Sequence, residues 1–135
     1  MNDDYIALMN VAARIARNAG DLVYIGRRNG AGNVETKSST TDMVTQWDTA
    51  SEQLILKQLG QLRPHDSIVG EEGTQITGSS PFTWFVDPID GTTNFLYNLS
   101  GYAVSIAACL GTDPVAAAVF LPATRELFVA AKGHG

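Results

Sequence analysis

The chain has 135 residues, enough for one domain with a real core, and its 44% hydrophobic content argues against disorder. Its formal net charge is −5 and its densest basic cluster is only Arg27-Arg28, which argues against nucleic-acid binding through a broad cationic face. The single cysteine, Cys109, excludes an intrachain disulfide, and the longest apolar run, Val115 to Leu121, is far too short to span a bilayer.

The acidic start Met1-Asn2-Asp3-Asp4 is unlike the basic start of a signal peptide. A cytoplasmic protein with no membrane partner and no nucleic-acid partner is therefore expected. The first segment predicts a long amphipathic helix, because Ile6, Met9, Ala13, Ala16, Gly20 and Val23 recur at three- and four-residue steps. Asn2 or Asp3 can cap its start, and Gly30 and Gly32 mark its end. The polar stretch from Asn29 to Thr41 has no periodicity and predicts a loop or loose hairpin carrying Lys37.

A second helix is expected from about Asp42 to Leu62, with Val44, Trp47, Ser51, Leu54, Ile55, Gln58 and Leu62 along one stripe, ended by Arg63-Pro64. Ser67 to Gly70 reads as a short strand running into Glu71-Glu72, and Thr74 to Pro81 as a surface loop. From there the pattern is strand-like. Phe82 to Asp87, Tyr102 to Leu110, Pro114 to Leu121 and Glu126 to Ala131 form a meander, with turns at Gly111 to Pro114 and Pro122 to Arg125. Two helices followed by an antiparallel sheet predict an α+β fold, with no repeats and no linker that would divide it.

The segment that carries chemistry is Trp84-Phe85-Val86-Asp87-Pro88-Ile89-Asp90-Gly91-Thr92-Thr93-Asn94. An apolar strand delivers Asp87 at its end, and Pro88 keeps it extended. Asp90 follows three residues later, so both carboxylates can converge on one point. Gly91 permits close backbone approach. Thr92 and Thr93 open a short helical segment whose amides suit an anion. Carboxylates this close repel unless a cation intervenes, and oxygen-only ligands favour magnesium over zinc. The plainer alternative is an Asp-Pro turn followed by an Asp helix cap. A second acidic element, Gly70-Glu71-Glu72-Gly73, again puts a carboxylate at a strand end, though alone it reads as a solvated acidic turn. A third, Asp48, lies in Thr45-Gln46-Trp47-Asp48, which also reads as a capping box. Asp48 and Glu52 form an unfavourable i,i+4 pair unless one is engaged elsewhere.

Together these residues resemble the inositol monophosphatase family of the lithium-sensitive phosphatase superfamily. The likeness rests on Lys37-Ser38-Ser39, Asp42, Val44-Thr45 and Asp48, on Val69-Gly70-Glu71-Glu72, and on Val86 through Phe95. Ala103-Val104-Ser105-Ile106 and Lys132-Gly133 fit as well. The resemblance implies an N-terminal metal-binding α+β domain spanning residues 1–135, the first half of a layered α/β sandwich. It implies a magnesium-dependent phosphomonoesterase acting on inositol monophosphate or a related small sugar phosphate, with about two or three Mg2+ ions per complete site, in a homodimer. Glu71, Asp87 and the carbonyl of Ile89 would hold the first ion, and Asp87 and Asp90 a second. Thr92 with Glu71 would orient the attacking water, and Asp48 would support Thr92. Asp90, Gly91, Thr92, Thr93 and Lys37 would face the phosphorylated substrate.

Family members continue for roughly as long again. The expectation is therefore that this chain is the N-terminal portion, lacking a Trp-Asp motif whose aspartate completes the second metal site and lacking most sugar contacts. Turnover by the chain alone is expected to be impaired. Where many relatives carry a His after the Asn-Phe pair, Leu96-Tyr97-Asn98-Leu99 stands here, which leaves fructose 1,6-bisphosphate, histidinol phosphate and nucleotide 3′-phosphates beside inositol phosphates as substrates. The alternative from a different class is a non-catalytic metal-binding interaction module. A third reading makes the carboxylates structural. His65 and His134 read as surface residues, Trp47 and Trp84 as core, Cys109 as an inert buried thiol, and Arg27-Arg28 as a solvated helix end.

Overall fold

The computed structural model describes residues 2–30, 40–71 and 73–134. The first helix, α1, spans Asn2–Gly30. Its fully buried face is Leu8, Ala12, Ile15, Ala16, Ala19 and Val23. The sequence reading put Ile6, Met9 and Ala13 on that face; they lie half-buried along its flank. Both sets repeat with helical period, and α1 is wedged against strands and a second helix at once, so it buries the arc richest in alanine. Small residues bring its axis close to the sheet. At Gly20 a Cβ would lie 2.5 Å from Phe120 Cδ2, so only glycine allows this approach.

The second helix, α2, spans Thr40–Leu62 and buries Ser51, Ile55 and Leu59. Asn18 on α1 donates a hydrogen bond to Gln58 on α2 at 3.0 Å. Leu62, expected on the buried stripe, is 42% exposed.

Six strands follow: β1 Ser67–Gly70, β2 Gln75–Ile76, β3 Phe82–Asp90, β4 Ala103–Leu110, β5 Asp113–Leu121 and β6 Glu126–Ala131. A short helix, α3 Thr92–Leu96, joins β3 to β4. The strands form one sheet in the order β2-β1-β3-β4-β5-β6. The meander from β3 to β6 is antiparallel as expected, but β1 runs parallel to β3, so the sheet is mixed. The segment after β1 carries the chain back to start β3 in the same direction, and β2 forms within it at the outer edge, where a loop was expected.

One face of the sheet lies under the helices. Ile15, Ile55, Leu59, Trp84, Val104, Ile106, Val115 and Phe120 fill the space between. Alternation sends every second residue to the other face, where Phe85 is 45% exposed and Phe128 57%. Asp66, just before β1, anchors the sheet edge. It accepts hydrogen bonds from Arg63 Nε at 2.6 Å, Ser80 Oγ at 2.6 Å and the Trp84 indole N–H at 2.8 Å. Burial pushes the Asp66 carboxyl upward, but these donors and the Arg63 charge outweigh it and hold the group below its ordinary value.

Candidate metal centre

The site grows out of a defect in β3. Asp87 pairs with Ser105 and Asp90 with Ala103, so β3 uses three steps where β4 uses two. The surplus falls at Pro88-Ile89. Proline cannot donate to a ladder, and a bulge relieves that requirement. It also changes which way side chains face. In a regular strand residues three apart face opposite sides. Here Pro88 and Ile89 are both buried, and Asp87 and Asp90 fall opposite β4 residues two apart, hence on one sheet face. Ile89 packs with Val23, Phe95 and Tyr102 in a second small core.

Glu71 follows β1 and is exposed, and its backbone N–H donates to Val86 O at 3.2 Å. Because β1 and β3 are parallel neighbours, this brings Glu71 to the strand that carries Asp87. Glu71 and Asp87 both line one cleft of about 270 Å³, beside Ser105 and the apolar Val69, Phe85 and Ala107. Asp90 is exposed at the end of β3 and is not part of this lining. Among the described residues no group of three or more His, Cys, Asp or Glu side chains is gathered closely enough to hold a metal ion. Two carboxylates with open positions nevertheless suit magnesium, which keeps several waters and takes one or two carboxylates plus substrate oxygens. The donor chemistry of Glu71 and Asp87 fits that ion.

Gly91 caps α3 in the left-handed region, with φ 81° and ψ 46°. A Cβ there would also lie 2.7 Å from Gly101 O, so two independent constraints require glycine. Thr92 and Thr93 are exposed on α3. Asn94 Nδ2 donates to Gly101 O at 2.9 Å, and Phe95 meets Tyr102 edge-on with centroids 5.0 Å apart. Burial, helped by Tyr24, pushes the Tyr102 phenol up to about 12, against the pull of Arg27. Arg27 is not the solvated helix end expected. Its guanidinium donates to Phe95 O at 3.3 Å and Leu96 O at 3.5 Å, holding the far end of α3.

Asp48 is half-buried on α2, which packs against α3. Lys37 lies outside the described residues. Two α2 residues were not foreseen as part of the site. Ser51, fully buried, donates to Pro88 O at 3.0 Å. Glu52 accepts from Thr74 Oγ1 at 2.9 Å, which engages the carboxylate whose neighbour Asp48 had made it suspect. Both bonds span long sequence separations, so no local pattern announces them. Of the residues read as inert, Trp84 and Cys109 are buried, Trp47 is half-buried against Gly26, and His65 and His134 are exposed.

Residues 4–135 match the profile of the inositol monophosphatase family. The chain is 45% identical to an inositol-1-monophosphatase of Mycobacterium bovis, covering 95% of this chain and 49% of that protein. It is 39% identical to a protein named Nus factor SuhB from Pseudomonas aeruginosa, over 95% of this chain and 48% of that one. Among solved structures it superposes on Mycobacterium tuberculosis SuhB with a TM-score of 0.80 at 41% identity, covering 96% of this chain and 46% of the other. It also superposes on the inositol monophosphate-bound SaIMPase-II with a TM-score of 0.75 at 30% identity, covering 96% and 46%. The chain thus spans about half the length of the curated relatives it matches. With the fold, the bulged acidic strand and this likeness agreeing, the chain belongs to the inositol monophosphatase family.

Proposed function

We propose that this chain supplies the metal-holding half of a magnesium-dependent phosphomonoesterase for inositol monophosphate or a related small sugar phosphate. The observation that carries the reading is the shared cleft of Glu71 and Asp87 between β1, β3 and β4. In this reading Glu71, Asp87 and the Ile89 carbonyl would hold one Mg2+, and Asp87 and Asp90 would hold another. Magnesium held there would supply charge neutralisation for the phosphate and activation of water near neutral pH. Glu71 and Thr92 orient the attacking water, and Asp48 supports Thr92. The Gly91, Thr92 and Thr93 segment would face the phosphate. Phosphoryl transfer demands positioning and charge neutralisation, which fixed carboxylates and amides provide without a covalent intermediate. The structure of a relative with inositol monophosphate bound supports this substrate class. A homodimer in the cytoplasm belongs to the same proposal.

The test is phosphate release from inositol 1-phosphate, with magnesium and after chelation. It is run on the chain and on a fusion supplying the remaining half of the Mycobacterium bovis relative. Magnesium-dependent release, weak from the chain and stronger from the fusion, is the expected result. Release that survives chelation contradicts it. A relative carries the name Nus factor SuhB rather than that of a phosphatase, so a second reading, a non-catalytic metal-binding interaction module, is kept beside the first. Magnesium binding with no release from either species would select it.

A further inference from the structure

The loop that carries Glu71 is tied down at two points. On one side the Glu71 N–H reaches Val86 O, next to Asp87. On the other, Thr74 Oγ1 donates to Glu52 Oε2 at 2.9 Å. Between them the turn closes on itself, with Gly70 N–H donating to Thr74 O at 2.8 Å and Gly73 N–H to Gly70 O at 3.2 Å. Glu52 Oε1 is buried, accepts no hydrogen bond from the described residues, and lies where a Cβ on Gly70 would sit. Gly70 therefore makes room for the carboxylate. The preceding residue, Ser51, grips the other acidic turn through Pro88 O. Consecutive residues of one helix thus hold the two segments that carry Glu71 and Asp87.

We infer that Glu52 is a positioning residue of the metal centre: through Thr74 it sets the Glu71 turn relative to Asp87, with Ser51 fixing the Asp87 side. This rests on the reading of Glu71 and Asp87 as magnesium ligands. Groups that orient ligands without touching the ion characteristically govern affinity by about 10–100-fold.

The test measures magnesium affinity of the 135-residue chain by titration calorimetry, beside thermal unfolding of the metal-free protein. Thr74→Val, which removes the donor hydroxyl, is expected to weaken binding about tenfold with little change in metal-free unfolding. Thr74→Ser restores the donor and is expected to restore affinity. Glu52→Gln retains an acceptor and is expected to stay within about threefold of wild type. Glu52→Ala is expected to weaken binding as Thr74→Val does, with no further loss in the double variant. Asp87→Asn distinguishes loss of an ion ligand from loss of the Thr74–Glu52 bond. Weakened binding in Asp87→Asn with wild-type binding in Thr74→Val overturns the Glu52 assignment and leaves the metal reading standing. Wild-type binding in Asp87→Asn overturns both. Weakened binding in Thr74→Ser equal to that in Thr74→Val also overturns it, because the hydroxyl would then not be the cause.

Discussion

At the scale of single residues, Gly91 and Asp66 show how much one position can decide. Gly91 combines a positive φ with a backbone carbonyl where a side chain would begin. Gly91→Ala is expected to cost about 1–3 kcal/mol, read as a lower urea midpoint, because strain and clash add. Asp66 is ionised in the folded state at lower pH than in the unfolded chain, since its folded pKa is depressed below the ordinary 3.8. Its stabilisation is therefore fully present above the unfolded pKa and fades as pH falls through the folded one. Asp66→Asn is expected to lose stability near pH 7 and to show a shallower decline on acidification, measured by urea unfolding across about pH 3–7. The acidic motif from Asp87 to Asn94 was legible in the sequence because its residues are contiguous. Ser51 and Glu52 were not, because their partners lie far along the chain: Glu52 and Thr74 are 22 residues apart, Ser51 and Pro88 37; Asp66 has one local partner, Arg63, but its bonds to Ser80 and Trp84 are likewise long-range.

At the scale of elements, the strands β1, β5 and β6 were legible within about a residue, since alternation and turn residues bound them. β2 was not, because two exposed residues in a Gly- and Thr-rich stretch carry no alternation. The parallel pairing of β1 with β3 escaped for a related reason: direction depends on where the connection leads, not on the strands' own residues. β3 runs on through Pro88 to Asp90, where the sequence suggested a stop, because a bulge absorbs the proline. For α1 the period was legible but the face was not, since Ile6, Met9 and Ala13 form a stripe as regular as the one buried. The packing of α1 on β5 through Gly20 makes a prediction at this scale. Gly20→Ala places a Cβ 2.5 Å from Phe120 Cδ2 and 3.0 Å from Pro122 Cγ. Overpacking there is expected to cost about 1–3 kcal/mol, read by thermal unfolding.

At the scale of the whole molecule, two helices cover one sheet face, while the cleft lined by Glu71 and Asp87 opens on the opposite face beside the C-terminal end of β1. Among the described residues no helix is long and apolar enough to cross a membrane. If the cleft binds magnesium in the folded state alone, magnesium stabilises the fold by mass action. At a free concentration about a hundred times the dissociation constant the gain is about 2.7 kcal/mol, visible as a higher melting temperature that chelation reverses. The proposed activity depends on Glu71 and Asp87 sharing an ion. The most direct test is a crystal structure grown with manganese, an ion that shares magnesium's preference for oxygen donors and can be located by anomalous scattering. An anomalous peak bonded to carboxylate oxygens of both Glu71 and Asp87 is the predicted result. Ordered side chains turned away from each other, with no peak between them at saturating manganese, would contradict it.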